Sequence, residues 1–120
     1  MTSSGLHLDV VETRGPLAVA AARGEMDLHT VAGFHPRATA LIDDHPYVIL
    51  DLSGVTFCDS SGLNTLLRLR RHADENGGRL TLAAPAGRIM RMLRLTGADT
   101  VFPLYASVTE AKAAQPPDIR

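Results

Sequence analysis

The sequence predicts an α/β domain, a mixed sheet of four to five strands carrying about four helices in the order β-β-α-β-α-β-α-β-α. Three observations lead there. Strand-like apolar runs alternate with helix-length segments along nearly the whole chain, the pattern of helices layered on a sheet. "YVILDL", opening after Pro46, is a continuous apolar run of the kind found in strands covered on both faces. Leu63, Leu66 and Leu67 recur at helical spacing and share one face. A chain of 120 residues is enough for one domain and short for two. That domain is assigned to residues 1–114, with "QPPDIR" (115–120) as a disordered tail.

Taken in order, Leu6, Leu8 and Val10 alternate with His7 and Asp9, the period of a half-buried strand. "TRGP" is a turn, and "LAVAAA" (17–22) is a second strand that completes a hairpin. "RGEMDLHT" (23–30) breaks the pattern. Asp27 or Thr30 is then placed to cap a helix from Val31 to about Asp43, and Pro36 inside it predicts a later start or a bend. After "YVILDL", Ser53-Gly54 reads as a turn and "VTF" as a short extension. A helix follows from about Ser60 to Glu75 and stops at Asn76-Gly77-Gly78. "RLTLAA" is a strand, Pro85 opens a third helix ending near Gly97, and Val101–Tyr105 is the last strand. Ser107 and Glu110 fit a capping box for a terminal helix over 108–114.

Composition narrows the function classes. With 4% aromatics and no Trp there is no platform for stacking bases, and a formal net charge of -1 lacks the basic excess of a nucleic-acid binder. One cysteine, Cys58, excludes an internal disulfide framework. The N-terminal stretch shows no signal-peptide core and no run approaches a membrane span, so a cytoplasmic location with no membrane partner is expected.

The stretch richest in possible chemistry is "DSSGL" (59–63), at the junction of a strand and a helix. Asp59, Ser60 and Ser61 are all good cap residues, so a plain helix cap is the simplest reading of the stretch alone. A phosphate on one of the serines is the functional alternative, since an anion is tolerated at a helix N-terminus. Gly62 would leave the neighbouring backbone open to an approaching protein. A hydrolase nucleophile requires G-x-S-x-G, and neither serine has it. The five histidines are scattered without metal-ligand spacing, no phosphate-binding glycine loop is present, and "DDHP" (43–46) reads as a solvated turn. No cofactor and no metal are expected. Two arginine groups, Arg68/Arg70/Arg71 and Arg88/Arg91/Arg94, read as solvated helix faces or as a patch for an acidic protein partner.

Taken together, "GEMD" (24–27), Thr30, "VILDLSGVTFCDSSGL" (48–63), "NGGRLTLAAP" and "LRLTGAD" resemble the anti-sigma factor antagonists, the stand-alone STAS-domain proteins. The resemblance runs from about Leu6 to Ala114. It implies a non-enzymatic protein that, when unphosphorylated, binds an anti-sigma factor that is also a serine kinase, and so frees a sigma factor. Phosphorylation of the serine directly after the aspartate, here Ser60, would release it, and a phosphatase would restore it. The docking surface implied comprises Asp27, Thr30, Asp59, Ser60, Ser61, Gly62 and Asn64, with Gly24 and Glu25 in the matching upstream turn. Cys58 and Met26 stand where the family commonly carries other apolar residues, and Pro36 departs from its first helix. The alternative within the same fold is a STAS module of a larger signalling assembly or one that senses a small ligand.

Overall fold

A computed structural model describes residues 5–119 of the chain; the first four residues assigned to the domain, and Arg120 of the expected tail, lie outside the described residues. The elements are β1 (Leu6–Arg14), β2 (Leu17–Met26), α1 (Val31–Asp44), β3 (Tyr47–Cys58), α2 (Ser60–Glu75), β4 (Arg79–Ala83), α3 (Gly87–Thr96), a single 3-10 turn (Ala98–Thr100), β5 (Leu104–Tyr105) and α4 (Val108–Ala113). The predicted class and element order hold. The sheet is five-stranded in the order β1-β2-β3-β4-β5. β1 and β2 form an antiparallel hairpin, and every later pairing is parallel.

Side-chain alternation along the strands explains the two layers. Ala18, Ala20 and Ala22 of β2, with Val48, Leu50 and Leu52 of β3, face one way and meet Phe34, Ala38 and Ile42 of α1, Leu66 and Leu69 of α2, and Ile89 and Leu93 of α3. Leu17, Val19 and Ile49 point the other way and meet Ala111 of α4. Both faces of β2 and β3 are therefore covered, which is why "LAVAAA" and "YVILDL" carry apolar residues at successive positions.

The structure departs from the sequence reading at several points. β2 does not end at Ala22: "RGEM" continues it, pairing through Met26 opposite Cys58. β3 correspondingly runs unbroken to Cys58, and Ser53-Gly54 is no turn. The register steps from Ala21↔Asp51 to Arg23↔Gly54 and from Gly24↔Val55 to Glu25↔Phe57, so β3 absorbs an extra residue at each step as a bulge. Gly54 suits the first of these because a Cβ there would stand 2.8 Å from Arg23 Cγ and 3.2 Å from the Ala22 carbonyl oxygen.

α1 starts at Val31 despite Pro36 and runs uninterrupted to Asp44. The carbonyl that Pro36 leaves without an intrahelical donor belongs to Ala32, and both residues are exposed, so water can satisfy it. α3 begins at Gly87, after Pro85 and the Ala86 cap, and stops at Gly97 in the left-handed region (φ 79°). β5 is shorter than expected because Phe102 leaves the strand line to fill the core. The expected disordered tail is packed as far as Ile119. Gln115 is buried, donating to Thr81 Oγ1 (3.4 Å) and the Ala111 carbonyl (3.0 Å), and Ile119 is buried too. The polar, proline-rich composition concealed both anchors.

Candidate functional site

The connection from β3 to α2 is built on Asp59. Its backbone is extended, and its Oδ1 accepts from the amides of Ser61 (2.9 Å) and Gly62 (3.1 Å). Its carbonyl accepts the first helical bond, from Leu63 N–H (3.0 Å). The cap is thus the aspartate, and no serine hydroxyl shares the task. Ser60, the first helical residue, is exposed, and its hydroxyl makes no hydrogen bond among the described residues. Ser61 is half-buried, and its carbonyl accepts from Thr65 Oγ1 at 2.9 Å. Asn64, one turn after Ser60, is exposed on the same face of α2.

Gly62 has a different role from the one expected. It is buried, and a Cβ at its position would lie 2.6 Å from the Met26 carbonyl oxygen, 2.7 Å from Cys58 Sγ and 2.8 Å from Met26 Cβ. Its missing side chain lets α2 close onto the end of β2; it does not open the backbone to solvent. Asp59 N–H then donates to the Met26 carbonyl (3.1 Å), locking the two segments together.

The second half of the site is the turn from β2 to α1. Asp27 Oδ1 accepts from the amides of His29 (2.8 Å) and Thr30 (3.1 Å). Thr30 Oγ1 accepts from Asp27 N–H (3.0 Å) and donates to the Glu25 carbonyl (2.7 Å). Asp27 and Thr30 therefore fasten the turn reciprocally, and Thr30 does not cap α1 with its side chain. Gly24, at φ 118°, sits in a conformation that L side chains rarely adopt, and a Cβ there would collide with the Gly5 carbonyl.

All the candidate residues except Gly62 line one edge of the sheet, at the C-terminal ends of parallel strands β2 and β3. Two apolar neighbours there were missed by sequence reading: Leu28, 69% exposed at the tip of the turn, and Phe57, 43% exposed at the end of β3. A leucine within an otherwise polar turn was the available signal for the first. Phe57 lies inside a strand-like run, where its outward direction depends on the bulge before it.

Ser60 has no imidazole or carboxylate hydrogen-bonded to its hydroxyl among the described residues. The Cys58 thiol is pushed up to about 11, chiefly by burial and secondarily by the Asp59 carboxylate, so it stays a neutral thiol. Among the described residues, no group of three or more His, Cys, Asp or Glu side chains is placed to hold a metal, and no helix is long and apolar enough to cross a membrane. "DDHP" is more tied down than a solvated turn: Asp43 Oδ1 lies 2.7 Å from His72 Nε2, and His45 Nδ1 lies 3.0 Å from the Gly15 carbonyl oxygen.

Comparison with known proteins adds a family to this geometry. The profile of the STAS domain matches residues 7–111. The anti-sigma F factor antagonist of Paenibacillus polymyxa is 26% identical over 108 residues, 88% of this chain and 92% of the relative. An anti-sigma factor antagonist from Mycobacterium paratuberculosis superposes with a TM-score of 0.82 at 28% identity, covering 94% of this chain and 96% of that one. The anti-sigma factor antagonist SpoIIAA in its unphosphorylated form gives a TM-score of 0.71 at 25% identity over 88% of this chain and 91% of that one.

Proposed function

The chain belongs to the STAS domain family, and from that membership we propose that it is an anti-sigma factor antagonist switched by phosphorylation of Ser60. In this reading the unmodified protein binds an anti-sigma factor that is also a serine kinase, freeing a sigma factor. Phosphorylation by that kinase releases it, and a phosphatase resets it. Relatives of similar length carry the antagonist function by name, and SpoIIAA is described by its phosphorylation state. The observation that carries the proposal for this chain is the division of labour at residues 59 and 60. Asp59 does the structural work of the cap, so the exposed Ser60 hydroxyl is open to a kinase and costs the fold nothing when modified.

The switch then acts on the interface. A phosphate adds about -1.5 to -2 charges and three acceptor oxygens. It would stand beside the Asp59 carboxylate and the exposed apolar groups of Leu28 and Phe57, where a partner must otherwise make dry contact. A loss of ~2–5 kcal/mol on desolvating that charge weakens binding by roughly 30-fold to several-thousand-fold, enough for a switch without refolding. The exposed pair Leu28 and Phe57, with Asn64 and the Asp27–Thr30 turn, forms the proposed contact face.

The test is phosphorylation with ATP and candidate anti-sigma kinases from the same genome, mapped by mass spectrometry. Phosphate is expected on Ser60 and absent from Ser60→Ala, and Ser60→Asp is expected to lose kinase binding. Modification confined to another residue would sink the assignment. A ligand-sensing role has one observation in its favour, a groove of about 660 Å³ beside the same turn, lined in part by Asp27, Thr30, Phe34 and Arg37. Saturable binding of a metabolite there, altering kinase affinity while Ser60 stays unmodified, would favour that reading.

A further inference from the structure

The α3 side of the molecule combines a basic stripe with an open apolar pocket. Between Glu75 and Asp99 the chain holds Arg79, Arg88, Arg91 and Arg94 and no acidic residue, in a protein whose net charge is -1, so the basicity is local. On α3, Ile89 and Leu93 point into the core, while Arg88, Arg91 and Arg94 are exposed. None of the three is in an ion pair among the described residues, and the one bond of this stripe runs from Arg88 Nη1 to the Thr56 carbonyl at 3.4 Å. Leu95, 81% exposed, rises among them on the same outer face.

At the far end of the stripe lies the pocket. Pro85, Met90, Arg94, Leu104, Tyr105 and Ala106 enclose about 300 Å³ between α3 and the edge strand β5. Arg94 follows Met90 by one helical turn, and both line the pocket, so a cationic side chain borders its apolar wall. The loop entering the pocket contains Ala84 at φ 55°, a left-handed conformation uncommon for alanine, held by its N–H bond to the Tyr105 carbonyl at 2.9 Å.

We propose that this stripe and pocket form a second docking surface, which takes an acidic protein segment carrying a large apolar side chain. The apolar side chain fills the pocket beside Met90 and Leu104, and the acidic residues flanking it meet Arg94, Arg91 and Arg88. An apolar anchor in a pocket, ringed by complementary charge, is the usual anatomy of a protein interface. Charge complementarity sets the sign of the partner: three guanidinium groups with no acidic partner among the described residues disfavour a basic segment and steer an acidic one. A nucleic acid would use the arginines but leave the apolar pocket and Leu95 without a purpose, and the surface lacks the aromatic platform on which bases stack. The surface adjoins the Ser60 edge at Arg88, which bonds to the Thr56 carbonyl beside Phe57, but its pocket contains no residue of that edge, and binding in it does not depend on phosphorylation of Ser60.

A phage-displayed peptide library selected on the unmodified full chain tests this. Enriched peptides are synthesised and measured by fluorescence anisotropy against wild type, Arg91→Glu, Arg94→Glu, Leu95→Ser and Ser60→Asp, each first checked for an unchanged melting curve. Should Arg94→Glu fold poorly, Arg94→Gln replaces it. The expected peptides are acidic around a Leu, Phe or Trp; each arginine reversal weakens them on the order of tenfold, and added salt weakens them further, while Ser60→Asp leaves them unaffected. Enrichment of peptides without that pattern, or binding that survives both reversals, overturns the proposal. So does tighter binding of a single-stranded oligonucleotide or of phosphatidylglycerol vesicles through the same arginines. Peptides lost on Ser60→Asp but kept by both reversals would sink this surface and leave the phosphorylation switch standing. The mass-spectrometric mapping of Ser60 can fail without touching the peptide result.

Discussion

Asp59 and Ser60 are adjacent, polar and equally suited by type to capping a helix, yet they do different things. Asp59 Oδ1 holds two amides, while the Ser60 hydroxyl makes no hydrogen bond among the described residues. Asp59→Ala is therefore expected to cost about 1 kcal/mol in urea unfolding, and Ser60→Ala far less. Gly62→Ala should cost more, about 1–3 kcal/mol, because the new methyl meets the Met26 carbonyl, which is backbone and cannot swing aside. An unchanged urea midpoint would show that α2 shifts freely. Cys58 gives a pH prediction with a definite sign. Its thiol is raised from 9.0 to about 11, so its contribution to stability is complete below pH 9 and is lost as the pH climbs toward 11. Folded protein near pH 8 should alkylate with iodoacetamide much more slowly than urea-unfolded protein; equal rates would refute the burial argument. At this scale the start of α2 was legible in "DSSG", because short polar residues suit a helix cap, although only the structure shows that Asp59 alone fills that role. The role of Gly62 was not, since its nearest neighbours come from Met26 on another strand.

The elements carry the site through two turns fastened in different ways. The α2 entry is held by one carboxylate, and the α1 entry by the reciprocal Asp27–Thr30 bonds. Thr30→Val removes the hydroxyl that serves both Asp27 N–H and the Glu25 carbonyl, at a cost of about 0.5–1.5 kcal/mol. If Leu28 binds the partner, the same change should also weaken partner binding, because the turn that presents it loosens; a stability loss with wild-type affinity would remove this turn from the interface. The order and type of the elements were readable because hydrophobic period and stop signals agree locally, as at Asn76-Gly77-Gly78. The end of β2 and the middle of β3 were misread for one shared reason. "RGEM" and "SG" look like breaks in a single strand, but side by side they form a bulged parallel pair. That pairing joins residues some thirty positions apart, beyond the reach of any local window. The tail was misread in the same way, since Gln115 is ordered by Thr81 on β4.

For the whole molecule, the layered core and the proposed contact edge occupy different places. The two apolar clusters lie above and below the sheet, and Ser60 stands at the rim where β3 ends. An added charge at the rim changes no core contact. The helix dipole that would welcome a phosphate is already partly satisfied by Asp59, and the repulsion between phosphate and carboxylate is weakened by solvent at an exposed position. The two effects oppose each other and each amounts to about 1 kcal/mol or less, so their sum should barely move the folding equilibrium. Fully phosphorylated protein is thus expected to keep the circular dichroism spectrum of the unmodified form and to stay within about 1 kcal/mol of its unfolding free energy, while its affinity for the kinase falls by the much larger factor derived from desolvation. The two measurements, made on one preparation, separate a switch at the interface from a switch in the fold. A loss of helical signal on phosphorylation, or a stability change as large as the binding change, would mean that the phosphate acts by opening α2 from its N-terminus, and the interface mechanism would have to be abandoned.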